Sequence, residues 1–352
     1  MSYIFKEKIS FKEYDNFIKK FKYLSYMQEE KWAKVKNIKN HKVIGVFDND
    51  ILCAVAHILV IEEKKAKRYF IPNGYLLEYK NLELLDFITQ NVKELAKKEK
   101  IYLIDVYPNI TNNNPYYTIA NNNLLNLNYK FTDEYIDKTD NILIPLKTDN
   151  KKIPKNILKK QYENKEFYTK RGIFFEISNS IDDIDKFEIL LNKKYFNKEL
   201  MKNLIKIFSD RVYMIFTKID LNYYKNFLEN TEDKYNEISK IEELLTISDE
   251  IDIGCALIIE PYNVKDNICE YIFNSELSSF EHLNIDNGML YETMKICNKN
   301  DYDYIKVSNI NINILKYIEK YNGIPIKYIG KYSLIINKFK YYMHKPIRFK
   351  NK

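Results

Sequence analysis

The sequence predicts a mixed α/β protein whose two halves are divergent copies of one unit. Three observations predict it. The chain has 352 residues, about twice a typical domain. Strand-like and helix-like segments alternate in the same order along both halves. The spacing also recurs: 33 residues separate Phe70 from Leu103, and 33 separate Ile272 from Ile305.

In the first half, residues 44–47 and 51–61 are apolar runs that read as paired strands turned at Asp48-Asn49-Asp50. A third strand over 68–71 ends at Pro72-Asn73-Gly74. Leu84, Leu85, Ile88, Val92, Leu95 and Ala96 then share one face of a helix whose other face is Lys and Glu. Residues 101–106 form a short buried strand. After an asparagine-rich loop, Leu124, Leu125 and Leu127 suggest a short helix. The lysine-rich stretch 147–160, with Pro154, reads as a linker or an exposed crossover helix. It sets the expected domains at 1–150 and 151–352.

The second half repeats the order. Strands are expected at 211–216, 251–259 and 271–273, then a helix carrying Leu290, Met294, Ile296 and Cys297, then a strand at 304–307. A helix from 310 to 321 and strands at 326–329 and 333–336 are expected to finish that unit. One segment interrupts the repeat. Apolar residues at 221, 224, 228, 235, 238, 241 and 245 suit either a helical, coiled-coil-like arm over about 221–248, which Glu232-Asp233 would break in two, or a single surface helix.

Composition narrows the function. Hydrophobic residues make up 45% and charged residues 30%, as in globular proteins. The longest apolar run, 51–61, is interrupted by His57 and is strand-sized, too short to span a bilayer. The first residues lack the pattern of a secretory signal, so a cytoplasmic location is expected. Cys53, Cys255, Cys269 and Cys297 show no metal-ligand spacing, and the four histidines form no HxH or HxxxH pair. No metal or cofactor is expected. The net charge of +7 fits phosphate-bearing partners without identifying one, and nothing points to DNA. Neither half contains the GxG of a pyrophosphate-gripping loop.

Four places resemble the FemABX peptidyltransferases. The stretch Gln28-Glu29-Glu30-Lys31-Trp32-Ala33-Lys34-Val35-Lys36 is similar to that family's early helix. Arg68 to Gly74, followed by Glu78-Tyr79-Lys80-Asn81, resembles its strand and turn. Phe273-Asn274-Ser275 looks like its serine turn, and Tyr321-Asn322-Gly323 with Tyr328-Ile329-Gly330 resembles its closing pattern.

The resemblance implies a fold of two tandem lobes of the acetyltransferase (GNAT) type, the second interrupted by the helical arm. It implies an aminoacyltransferase using aminoacyl-tRNA as donor and a UDP- or lipid-linked muropeptide precursor as acceptor, with peripheral contact where that precursor is membrane-bound. Lys36 would contact the acceptor's diphosphate as a point charge. Trp32, Asn73 and Tyr107 would line the substrate sites; Tyr75 and Tyr317 would hydrogen-bond a peptide or nucleotide there, or else serve in packing, and Ser275 would line the second lobe's cleft or merely form a turn. Asp105 would take the proton of the attacking amine, or else cap a loop. Lys316 is the nearest substitute for the family's late lysine, whose position holds Ile318 here. The family's Gly-Pro and Asp-Pro are Gly74-Tyr75 and Tyr107-Pro108. These departures leave two alternatives open: an N-acyltransferase of the same fold with another acyl donor, and a non-catalytic duplicated binding protein.

Overall fold

The computed structural model describes residues 2–21, 25–63, 66–134, 141–147, 153–191, 197–231, 237–261, 268–308 and 319–344. The chain divides into two units: Met1–Thr139 with Ile326–Lys352, and Asp140–Pro325.

Local rules account for the first unit's elements. Strand β1 (Tyr3–Lys6) pairs with β2 (His41–Asp48), which turns into β3 (Ile51–Glu63). The turn residues Asn49 and Asp50 have φ of 46° and 64°, the left-handed pair that matches strand twist and that Asn and Asp tolerate. β4 (Ala66–Ile71) follows antiparallel. Two short helices, α1 (Phe11–Ile18) and α2 (Lys31–Val35), lie between β1 and β2, with a 3-10 turn at Tyr26–Gln28. The crossover helix α3 (Leu82–Lys98) starts where the Asn81 side chain accepts from the Leu84 amide at 3.0 Å. It buries the predicted face fully at Leu85, Ile88, Val92 and Ala96, each larger side chain contributing about 1.5–3 kcal/mol. It delivers the chain to β5 (Leu103–Val106), parallel to β4, and the short helix α4 (Tyr117–Asn126) follows, burying Ala120 and Leu124.

The second unit repeats this. β8 (Ile173–Ser178), β9 (Val212–Asp220), β10 (Glu250–Ile259) and β11 (Ile268–Glu276) are antiparallel neighbours in that order. Helix α10 (Ile285–Lys299) then crosses to β12 (Tyr304–Val307), parallel to β11. Both crossover helices stop in the same way. Lys100 and Asp301 have φ of 60° and 63°, and the next amides, Ile101 and Tyr302, return to the carbonyls of Ala96 and Cys297 at 2.8 and 2.9 Å. Before α10, helices α5 (Lys155–Thr169), α6 (Ile184–Leu190) and α7 (Lys198–Ile207) complete the unit.

The expected division at residue 150 is corrected. β7 (Asn141–Pro145) pairs with β12 in the second sheet, and β14 (Lys331–Ile335) pairs with β5 in the first. With β6 (Lys130–Thr132) and β13 (Ile324–Ile326), the sheet orders are β1-β2-β3-β4-β5-β14-β6 and β13-β7-β12-β11-β10-β9-β8. The two orders superpose once β14 and β7 are recognised as exchanged. A five-residue apolar strand fits either sheet by pattern alone, and backbone pairing decides between them. The strand expected to finish the second unit therefore closes the first.

The interrupting segment is two helices, α8 (Leu221–Glu229) and α9 (Ile238–Leu245), inserted between β9 and β10. Leu221, Tyr224, Leu228 and Ile241 join the second unit's core, and Tyr224 Oη donates to Glu237 Oε2 at 2.6 Å. The arm is thus packed on its own unit. The break expected at Glu232-Asp233 lies outside the described residues. The serine turn is also corrected: Ser275 lies within strand β11, opposite Cys255. All four cysteines are free thiols.

Candidate active site

Three segments of the first unit meet at the carboxyl ends of the parallel strands β4 and β5, the place where open α/β sheets present ligand sites. Residues 28–36 come first. Ser25 caps the 3-10 turn, and the Gln28 amide, buried, donates to the Asn73 carbonyl at 3.0 Å. The Tyr14 hydroxyl donates to the Gln28 carbonyl at 2.7 Å, so this segment is fixed from both sides. The second segment is the turn Asn73-Gly74, with φ of 54° and 77°. The third is Tyr107-Pro108. A Cβ on Gly74 would lie 2.7 Å from the Pro108 Cα, so the turn and the strand end touch through the missing side chain. The Tyr107 amide donates to the Ile71 carbonyl at 3.2 Å, and its ring lies 5.4 Å from that of Phe70.

Donors dominate this site. Trp32 Nε1 and Asn73 Nδ2 are buried and have no partner among the described residues. A buried N–H left unpaired costs about 1–3 kcal/mol, so two together suit an acceptor-rich ligand. The Lys36 ammonium lies 5.1 Å from the Trp32 ring, within cation–π range. Lys36 is exposed by surface area, and desolvation by the protein around its ammonium lowers its pKa. No carboxylate pairs with it among the described residues. The half-buried Tyr107 hydroxyl has its pKa raised, first by burial and then by the nearby carboxylates of Asp105 and Glu134. At neutral pH it is a hydrogen-bond donor.

Asp105 is placed otherwise than a free base requires. Its side chain is 3% exposed. One carboxylate oxygen accepts from Arg68 Nη1 at 2.8 Å, the other from Ser333 Oγ at 2.5 Å. Arg68 also holds Glu63 at 2.6 Å. Asp105 is tied to β4 on one side and to β14 on the other, and positions the strand end that carries Tyr107. Tyr75 is likewise corrected. It is fully buried in the first unit's core, and its hydroxyl is shared with Tyr129 at 2.9 Å, which removes it from any substrate. In the second unit, Ser275 Oγ donates to the Leu190 carbonyl at 2.8 Å. Lys316, Tyr317 and Ile318 lie outside the described residues.

Of the expected residues, Trp32, Lys36, Asn73 and Tyr107 belong to the converging segments, and Asp105 supports them. Sequence reasoning missed the Gln28 clasp and Ser333. Ser333 arrives 228 positions later in the chain, and nothing local marks it. A separate concavity of about 370 Å³, lined by Asn40, His41, Lys42, Lys67, Glu99 and Ile101 among others, shares none of these residues. Its one carboxylate, Glu99, is already bound by Lys42 and Tyr69.

Residues 9–144 match the model of the FemAB family. A lipid II:glycine glycyltransferase of Staphylococcus epidermidis is 23% identical over 233 residues, which cover 64% of this chain and 52% of that protein. The Staphylococcus aureus protein of the same name is 24% identical over 180 residues, 49% of this chain and 43% of that one. The chain therefore spans about half the length of the curated relatives it matches. Among solved structures, the crystal structure of FemX superposes with a TM-score of 0.71 at 20% identity, covering 98% of this chain and 100% of that one. A tandem GNAT protein from the clavulanic acid biosynthesis pathway gives 0.52 at 7% identity, covering 85% and 83%. The two units are GNAT-like lobes in tandem.

Proposed function

We propose that this chain, whose residues 9–144 match the model of the FemAB family, is an aminoacyltransferase of that family acting on a peptidoglycan precursor. The finer reading is transfer from aminoacyl-tRNA in the cytoplasm to a peptide amine of a lipid- or UDP-linked muropeptide. One observation carries it: a lysine and two unpartnered buried N–H donors sit on segments that converge where β4 and β5 end. Phosphate oxygens of a diphosphate-linked acceptor would satisfy such donors.

The chemistry needs little covalent help. An aminoacyl ester is already activated, and holding a neutral amine within attack distance supplies most of the acceleration. The amine nitrogen attacks the ester carbonyl and forms the C–N bond. The C–O bond to the ribose then breaks, and the amine proton ends on the leaving ribose oxygen. Lys36 anchors the acceptor. Tyr107, protonated at neutral pH, donates to the developing oxyanion. Asp105 holds β5 so that Tyr107 stays in place.

The test is direct. Protein, charged tRNA and a UDP-linked muropeptide should yield an acceptor heavier by one amino-acid residue. Absence of product across several charged tRNAs, with both UDP-linked and lipid-linked acceptors, would sink the proposal. Product from an acyl-CoA alone would reassign the donor.

A further inference from the structure

The positive charge of this chain is not spread evenly. Residues 320–352 contain nine Lys and Arg and no Asp or Glu, whereas the whole chain nets +7. Residues 1–319 therefore net −2. Within the basic stretch lies the last described helix, α11 (Lys338–His344). It starts at Asn337, whose Oδ1 accepts from the Lys340 amide at 3.0 Å.

One side of α11 is docked. Tyr341 packs against Ala66, Tyr102 and Leu103, and the His344 ring lies tilted, 5.7 Å from the Tyr102 ring. The opposite side is bare. Phe339, Tyr342 and Met343 are 75%, 64% and 65% exposed, and at helical spacing they form one stripe. At about 100° per residue, Lys338 and Lys340 fall on either flank of that stripe. Neither has a carboxylate partner among the described residues. Glu63, the carboxylate beneath the docked side, is already bound by Arg68 and Tyr102.

We propose that α11 docks this protein peripherally on an anionic lipid bilayer, its Phe339–Tyr342–Met343 stripe entering the headgroup–acyl boundary and its flanking lysines meeting lipid phosphates. The geometry is that of an interfacial helix: an apolar stripe bordered by cations whose stems lie along it and whose heads reach water. Charge decides among occupants. A second copy seated on the stripe would bring two basic clusters together. RNA would use the lysines and the aromatic rings, but Met343 gives a base no ring to stack on. No helix among the described residues is long and apolar enough to cross a membrane, so this contact lies on the surface. The inference extends the reading of a lipid-linked acceptor, though its test needs neither acceptor nor donor.

The full chain is sedimented with vesicles of phosphatidylcholine alone or enriched in phosphatidylglycerol. Binding is expected only to the anionic vesicles, and high salt should release it. Lys338→Gln and Lys340→Gln should each weaken partition about fivefold, and the triple variant F339S/Y342S/M343S tenfold or more. Melting temperatures should not change, because these side chains are exposed. Equal binding to both vesicle types, a triple variant that binds like the parent, or binding to uncharged tRNA with none to vesicles would overturn the proposal. Transfer to a UDP-linked acceptor tests the enzymatic reading separately.

Discussion

Replacing Asp105 by Asn separates a structural carboxylate from a catalytic one. The side chain is 3% exposed and bridges Arg68 and Ser333 across two strand neighbours. Breaking a buried ion pair by removing one charge costs about 3–5 kcal/mol. Arg68 is 24% exposed and retains Glu63, which reduces the expected loss to about 2–3 kcal/mol. For a unit of this size that is a fall of roughly 5–10 °C in melting temperature. Ser333→Ala removes one hydrogen bond to a charged group and should cost about 1.5–3 kcal/mol on the same sheet. Thermal unfolding of the two single variants and their double gives the coupling, which should be well above zero because both act on one carboxylate. In the transfer assay, Asp105→Asn should lower turnover while leaving the acid limb of the pH–rate profile in place. An unchanged melting temperature, with turnover abolished and the acid limb gone, would make Asp105 the base and refute the assignment.

Lys36→Met should raise KM for a diphosphate-linked acceptor about ten- to a hundredfold, the value of one charge-assisted contact, with kcat within a few-fold and the melting temperature unmoved. Gly74→Ala places a side chain at φ 77° and 2.7 Å from the Pro108 Cα, so backbone must shift. A loss of about 2–4 kcal/mol is expected in denaturant unfolding, with turnover falling further because Tyr107 moves with Pro108. His57 is buried against His41, its Nε2 3.2 Å from His41 Nδ1, and burial, with His41 beside it, lowers its pKa to about 3. The unfolded histidine binds its proton near pH 6.5 and the folded one does not. Stability is therefore complete above pH 6.5 and falls as pH drops toward 3, by about 1.4 kcal/mol per unit. Urea midpoints across that range should follow this slope, and His57→Gln should flatten it.

Much of the fold was legible because its signals are local. The Asn49-Asp50 turn, the apolar face of α3 and the equal crossover spacing each lie within one stretch of chain, and each recurs in the structure. Strand exchange was not legible. β7 and β14 have no feature that names a partner sheet, so the boundary drawn at the lysine-rich connector came out wrong. The site divides in the same way. Lys36 and Trp32 lie four positions apart, and their segment could be read as a unit. The roles of Asp105 and Tyr75 turned on residues far away, Ser333 and Tyr129. A tyrosine hydroxyl facing a core partner has the same sequence signature as one facing a substrate.

The exchange of β7 and β14 constrains how this protein can be made. A nascent chain that has emerged to residue 150 holds β1 through β6, but the slot between β5 and β6 belongs to a strand some 180 positions away. Until that strand is synthesised, β5 offers an open edge, and Asp105 lacks the hydroxyl that completes its shell. Maturation of the amino-terminal lobe must therefore wait for the ribosome to finish nearly all of the other one, and no single cut yields that first lobe whole, whereas a cut before Asp140 leaves the second continuous.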